Sequence, residues 1–213
     1  MDRPLALATA VAALVVVFVP AIWRYARTMI TIVHEGGHAL VAVLTGRRLR
    51  GIRLHSDTSG LTVARGKPRG LGMVLTLMAG YLAPSLIGLA AVFPLAAGRI
   101  TLMLWITLVL LFLVLVMIRN WFGLFAVLVV GAGVYAVTRY ASFDTQTIVA
   151  SLGVWFLLIG GVKPLFELRG RRLRSSDPAQ LASVTGVPAL FWLGLMILVN
   201  GGCLAYGAWL LLA

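Results

Sequence analysis

Charge is scarce in this chain of 213 residues, and carboxylates are scarcest of all. Charged residues make up 11% and only 6 of them are Asp or Glu, against about 25% charged in an ordinary soluble domain. With 61% hydrophobic residues and a mean hydropathy of +1.03, a soluble fold is excluded and a polytopic membrane protein is expected. Cysteine occurs once, at Cys203, which excludes an intramolecular disulfide. Long polar segments are missing too: the longest, about 47–70 and 168–187, are too short for an independent core. No internal repeat is visible, so residues 1–213 read as a single transmembrane domain whose chemistry lies in or at the membrane.

Apolar runs near the length that crosses a hydrocarbon core, about 20 residues, lie at 4–22, 28–45, 71–96, 100–118, 121–138, 148–166 and 188–212. The expected fold is therefore all-α, with about seven transmembrane helices. The first run is too long for a signal-peptide core and lacks a small-x-small cleavage site, so it reads as an uncleaved span. A net charge of +12 would suggest nucleic acid in a soluble protein; here topology accounts for it, and no nucleic-acid partner is expected. Two basic clusters carry most of it: Arg47, Arg48, Arg50, Arg53, Arg65, Lys67 and Arg69, then Arg169, Arg171, Arg172 and Arg174. Four spans separate them, so both fall on one face, which the positive-inside rule makes cytoplasmic. By the same count the N-terminus is inside and the C-terminus outside.

Between Arg50 and Ala64 the apolar residues alternate about a Ser56-Asp57-Thr58-Ser59-Gly60 turn, which reads as a short β-hairpin at the cytoplasmic interface. An open strand edge there would suit strand addition by an extended segment; the alternative is a hairpin that only rests on the membrane. His55 on the hairpin reads as a solvated loop residue, Asn120 as a helix boundary, and Pro84 as a kink in the third span. Trp23, Trp121 and Trp155 are candidate interface anchors.

Residues 34–38 read His-Glu-Gly-Gly-His, set in an apolar run. A helix brings His34 and His38, one turn apart, onto one face, where two imidazoles can hold one metal ion. Glu35 directly follows the first histidine and stands where it can take a proton from water acidified by the metal, the arrangement of H-E-x-x-H zinc hydrolases. Ionisable groups inside a membrane are functional by default. His38 precedes Gly46, the start of the basic segment, by eight residues, which puts it about 12 Å below the boundary. Gly36 and Gly37 leave one side of the helix free for close approach. A metal carrier would place further ionisable residues along its path, whereas 71–138 contains only Arg99 and Arg119.

A membrane-embedded H-E-G-G-H-A followed by a short hairpin resembles the site-2 protease family, intramembrane zinc metalloproteases that cut transmembrane helices of other proteins. The similarity is closest to compact bacterial members without PDZ or CBS domains. The resemblance implies Zn2+ held by His34 and His38, Glu35 as catalytic acid/base, a transmembrane protein substrate, and a multi-pass place in a bacterial plasma membrane. A catalytic zinc usually takes three protein ligands. The family's third is an aspartate in an N-P-x-x-x-x-L-D-G-like motif, which this chain does not contain intact. Asp2 is terminal, Asp144 falls on the far face, and Asp57 suits a turn. Two candidates remain. Glu167 ends the sixth span in Lys-Pro-Leu-Phe-Glu, where it could instead pair with arginines. Asp177 lies in S-D-x-x-x-L-A-x-x-T-G-x-P, similar to the segment that carries the aspartate in the compact relatives, although Asp-Pro also suits a helix start. Asp177 would have to reach the histidines by folding back into the bundle. The alternative to an enzyme is a non-catalytic pseudoprotease or a metal-binding membrane protein.

Overall fold

The computed structural model describes residues 2–213. The chain is mostly helical: α1 (Arg3–Phe18), α2 (Pro20–Leu44), the hairpin β1 (Arg48–Leu54) and β2 (Gly60–Arg65), α3 (Leu71–Ala96), α4 (Ile100–Met117), α5 (Trp121–Tyr140), α6 (Phe143–Phe166), α7 (Arg171–Arg174), α8 (Asp177–Thr185) and α9 (Ala189–Leu212).

Five helices, α3 to α6 and α9, are long and apolar enough to cross a membrane, and α1 with α2 makes at most one more. The count is thus five or six where seven were expected. The difference lies at Pro20. A residue before proline is driven out of the helical region, and Val19 is extended, at φ −81° and ψ 112°. Pro20 then starts a new helix, for which its fixed φ is suited. The two helices meet at 99°. Because α2 begins at Pro20, it takes in Arg24 and Arg27, which the apolar runs had left between spans.

The direction of α1 also differs from expectation. Its Thr9 hydroxyl lies 2.7 Å from that of Ser151, and Lys163 Nζ donates to the carbonyl of Val17 at 2.8 Å. Numbers rise together along both helices, so α1 runs parallel to α6, whose last turn meets the hairpin end through Glu167 and Arg27. The start of α1 therefore lies at the end opposite the hairpin, not beside the basic clusters. The end of α9 lies there too, since Met196 packs with Leu77 and Leu165 while Gly207 sits against Leu158 and Leu89. Arg47 and Arg172, one from each basic cluster, line a common cavity at the hairpin end.

Burial follows this arrangement. In α6, 61% of the apolar window is buried, against 17% in α4, so α6 is the central helix and α4 presents residues such as Phe112 and Leu113 to lipid. Trp23 and Trp155 belong to the core around α6, with exposures of 5% and 3%; neither is an interface anchor. Trp121 is exposed.

The hairpin is tied to the α4–α5 connection. Ile52 bridges Ile118, and the Arg119 amide donates to the carbonyl of Ile52 at 2.8 Å. Asn120, read from sequence as a plain helix boundary, uses its side chain as a strand would. Its Oδ1 accepts from the Leu54 amide at 3.1 Å and its Nδ2 donates to the Leu54 carbonyl at 2.6 Å. These bonds occupy the outer edge of β1, and among the described residues no strand pairs with the outer edge of β2. Leu54 is 1% exposed, so removing its partner strands two buried backbone groups at about 1–3 kcal/mol each. Asn120→Ala is therefore expected to loosen the hairpin, read as faster tryptic cutting at its arginines; an unchanged rate would show that Asn120 does not hold it.

Candidate metal centre

Three elements build the centre. In α2, Ile32 and Ala39 pack into an apolar cluster with Ile52, Leu54, Ile118 and Val127, and this seating turns the His34–His38 face toward α3. Close approach of α3 depends on two glycines. A Cβ on Gly37 would stand 2.5 Å from that of Ala83 and 2.7 Å from the Ala79 carbonyl, and one on Gly80 would overlap both histidine rings. Tyr81 then meets His34 edge-on, with ring centroids 4.7 Å apart. Pro84 leaves α3 a single helix and, with Gly161, lines the cavity above the site.

The third element is α8. Pro178 lies in its first turn, Gly186 ends it in the left-handed conformation, and Leu181, fully buried, pins it among Leu77, Leu165 and Met196. The segment after α6 thereby folds back into the bundle, and its first residue, Asp177, points at the two histidines. Asp177 Oδ2 lies 3.4 Å from His34 Nε2 and 3.2 Å from His38 Nε2, and the two Nε2 atoms are 3.1 Å apart.

His38 Nδ1 is 2.7 Å from the carbonyl of Thr76. A carbonyl only accepts, so Nδ1 carries the hydrogen, and in the neutral ring Nε2 presents a lone pair. Two nitrogens and a carboxylate oxygen thus converge in a nearly equilateral triangle. A proton can bridge only one edge of that triangle, whereas a cation meets all three corners at once. Asp177 Oδ2 is buried and makes no hydrogen bond, as expected of an atom placed for a metal. A tetrahedral site with bonds of 2.0–2.1 Å has edges of about 3.3–3.4 Å, close to the spacings observed. His34, His38 and Asp177 can therefore hold a metal ion, and their donor set and geometry suit zinc.

Glu35, 4% exposed, lines the same cavity as this triangle. Thr62 on β2 donates its hydroxyl to Glu35 Oε2 at 2.6 Å and lies 3.1 Å from the Glu35 main-chain carbonyl. Thr31 donates to the carbonyl of Thr58 at 2.8 Å, a second tie between α2 and the hairpin. The cavity over the site, about 740 Å³, is lined by these residues together with Arg27, Arg47 and Arg172.

The other candidates lie elsewhere. Glu167 is held by Arg27 at 2.9 Å and Lys163 at 3.6 Å. Asp57 sits in the hairpin turn, where the hydroxyl and amide of Ser59 donate to it at 2.6 and 2.9 Å and hold its carboxyl below the usual range. His55 is exposed at the same turn, 3.2 Å from the Ser59 hydroxyl. Asp2 and Asp144 cap or begin α1 and α6 at the opposite end. Sequence reasoning missed Thr62. Its one signal was the alternation in β2, where Gly60, Thr62 and Ala64 take one face while Leu61 and Val63 are left exposed.

Neither the curated proteins nor the solved structures contain a match to the chain. A family model does match, over residues 7–207, and it is that of the Peptidase M50B-like family. With nearly its whole length covered, in a membrane fold that brings two histidines and an aspartate together, this protein belongs to the Peptidase M50B-like family.

Proposed function

We propose that the protein is an intramembrane zinc endopeptidase that hydrolyses a peptide bond in a membrane-spanning or membrane-proximal segment of another protein, near the cytoplasmic leaflet. One observation carries the reading: the converging lone pairs of His34, His38 and Asp177 share one cavity with the buried Glu35. Family membership supports it.

In this reading His34, His38 and Asp177 hold the ion, and the Thr76 carbonyl orients His38 through Nδ1. Bound there, zinc supplies Lewis acidity, polarising the scissile carbonyl and making water acidic enough to lose a proton near neutral pH. Glu35 accepts that proton as the water oxygen adds to the carbonyl carbon, then delivers it to the amine nitrogen as the C–N bond breaks. The open edge of β2 borders the cavity, so a substrate segment unwound from its helix would find backbone partners there by strand addition. Arg27, Arg47 and Arg172 line that cavity, and such a polar lining would lead water below the membrane surface.

The test is cleavage of a model single-span substrate by the purified protein in liposomes. A zinc chelator is expected to stop cleavage and added zinc to restore it. Cleavage indifferent to the chelator would refute a metal mechanism, and none from zinc-loaded protein would leave a non-catalytic metal-binding membrane protein.

A further inference from the structure

We infer that Thr62 is a positioning residue for Glu35, so that the hairpin holds the catalytic carboxylate in place. This rests on the peptidase reading above and deepens it.

The Glu35 carboxylate is buried, yet among the described residues its only hydrogen-bond donor is the Thr62 hydroxyl, at 2.6 Å from Oε2. The other oxygen, Oε1, faces Gly60, two positions earlier on the same strand face. A Cβ on Gly60 would overlap the carboxylate. Gly60 therefore provides the space and Thr62 the bond. A free glutamate has three rotatable side-chain bonds and would spread over several rotamers; the seat on β2 selects one. No residue of α2 itself does this, because a helix directs each side chain outward and leaves its tip to be placed by a neighbour.

The seat is braced from outside α2. Thr62 pairs with Ile52 across the hairpin, and the carbonyl of Ile52 takes the amide of Arg119. The paired strands thus link the α4–α5 connection to the seat of Glu35. The strand that seats Glu35 is also the one whose outer edge is open. A peptide added to that edge would steady the carboxylate that acts on it.

The experiment compares the wild type with Thr62→Val, which keeps the shape and removes the hydroxyl, and Thr62→Ser, which keeps the hydroxyl. Thr62→Val is expected to lower kcat about 10- to 100-fold, as a misplaced reacting group does, with KM and zinc content unchanged, and Thr62→Ser to restore most of the loss. An unchanged kcat overturns the proposal, as does a loss in which KM changes instead or which Thr62→Ser does not recover. Should Thr62→Val fail to fold, Thr62→Ala carries the same comparison. Thermal melting of metal-free protein gives a readout independent of activity. Thr62→Val, Glu35→Ala and the double variant are expected to shift Tm non-additively, and additive shifts overturn the contact. A wild type that cleaves nothing overturns the peptidase reading instead, and the melting cycle still decides whether Thr62 holds Glu35.

Discussion

Glu35→Gln is expected to leave zinc bound and to remove proteolysis, with turnover falling at least about 10²- to 10⁴-fold, the usual contribution of a positioned general base. Glutamine has nearly the shape of glutamate and keeps an oxygen that can accept from Thr62, so the seat on β2 survives. What it lacks is a basic site: an amide takes no proton from water near neutral pH. Glu35 makes none of the three corners of the metal triangle, so the metal should remain. Turnover of a single-span substrate and zinc per chain, measured on the same preparation, check this. Cleavage by the variant at the wild-type rate would remove Glu35 from its proposed role, and loss of zinc would mean that it serves the metal rather than the proton.

Asp177→Ala is expected to empty the centre. Two histidines one turn apart remain, but the third corner is gone, and the Glu35 carboxylate that shares the cavity is tied to Thr62 on β2. Residues that only orient a ligand typically cost 10–100-fold in metal affinity when changed; losing a ligand should cost more. Zinc per chain after dialysis should fall from about one toward zero, and proteolysis with it. Glu167→Ala is the control. Its carboxylate is engaged by Arg27 and Lys163, so its loss should weaken the tie between α2 and α6 and leave zinc in place. Zinc lost from Glu167→Ala but kept by Asp177→Ala would reverse the assignment.

Much of the site was legible in residue spacing. His34, Glu35 and His38 lie within five positions on one helix, and 3.6 residues per turn suffices to place both imidazoles on one face. Asp177 was legible less directly: elimination left it beside Glu167, and the resemblance of its S-D-x-x-x-L-A-x-x-T-G-x-P segment favoured it as the third ligand. Its approach depends on α8 turning back into the bundle, where Pro178 and Leu181 are buried and Leu181 meets residues of α3, α6 and α9. Thr62 and Asn120 were not legible as parts of the site's support, because a threonine in a strand and an asparagine before a helix are ordinary there. Their importance comes from partners 27 and 66 positions away.

The span count shows the same limit from the other side. Hydropathy sees the apolar run of 4–22 but not that Pro20 breaks it, and it reads Arg24 and Arg27 as a loop because it weighs side chains one at a time. In the fold Arg27 finds Glu167 and Arg24 lies over the ring of Tyr25, so both arginines are accommodated within one helix. The parity argument survived where it depended on α3 to α6 and failed where it depended on the first run, since with a bend of 99° α1 and α2 make at most one crossing between them.

Composition and local spacing by themselves determined that this is a membrane protein, that it is helical with a hairpin, and that two histidines and a glutamate share one helix. Those properties follow from how single residues partition into lipid and from the period of a helix, both of which are local. Only the tertiary structure decided which carboxylate faces the histidines, how the first two helices run, and what holds Glu35. Each of these depends on a contact between segments far apart in the chain, and such contacts are chosen by the packing of the whole bundle.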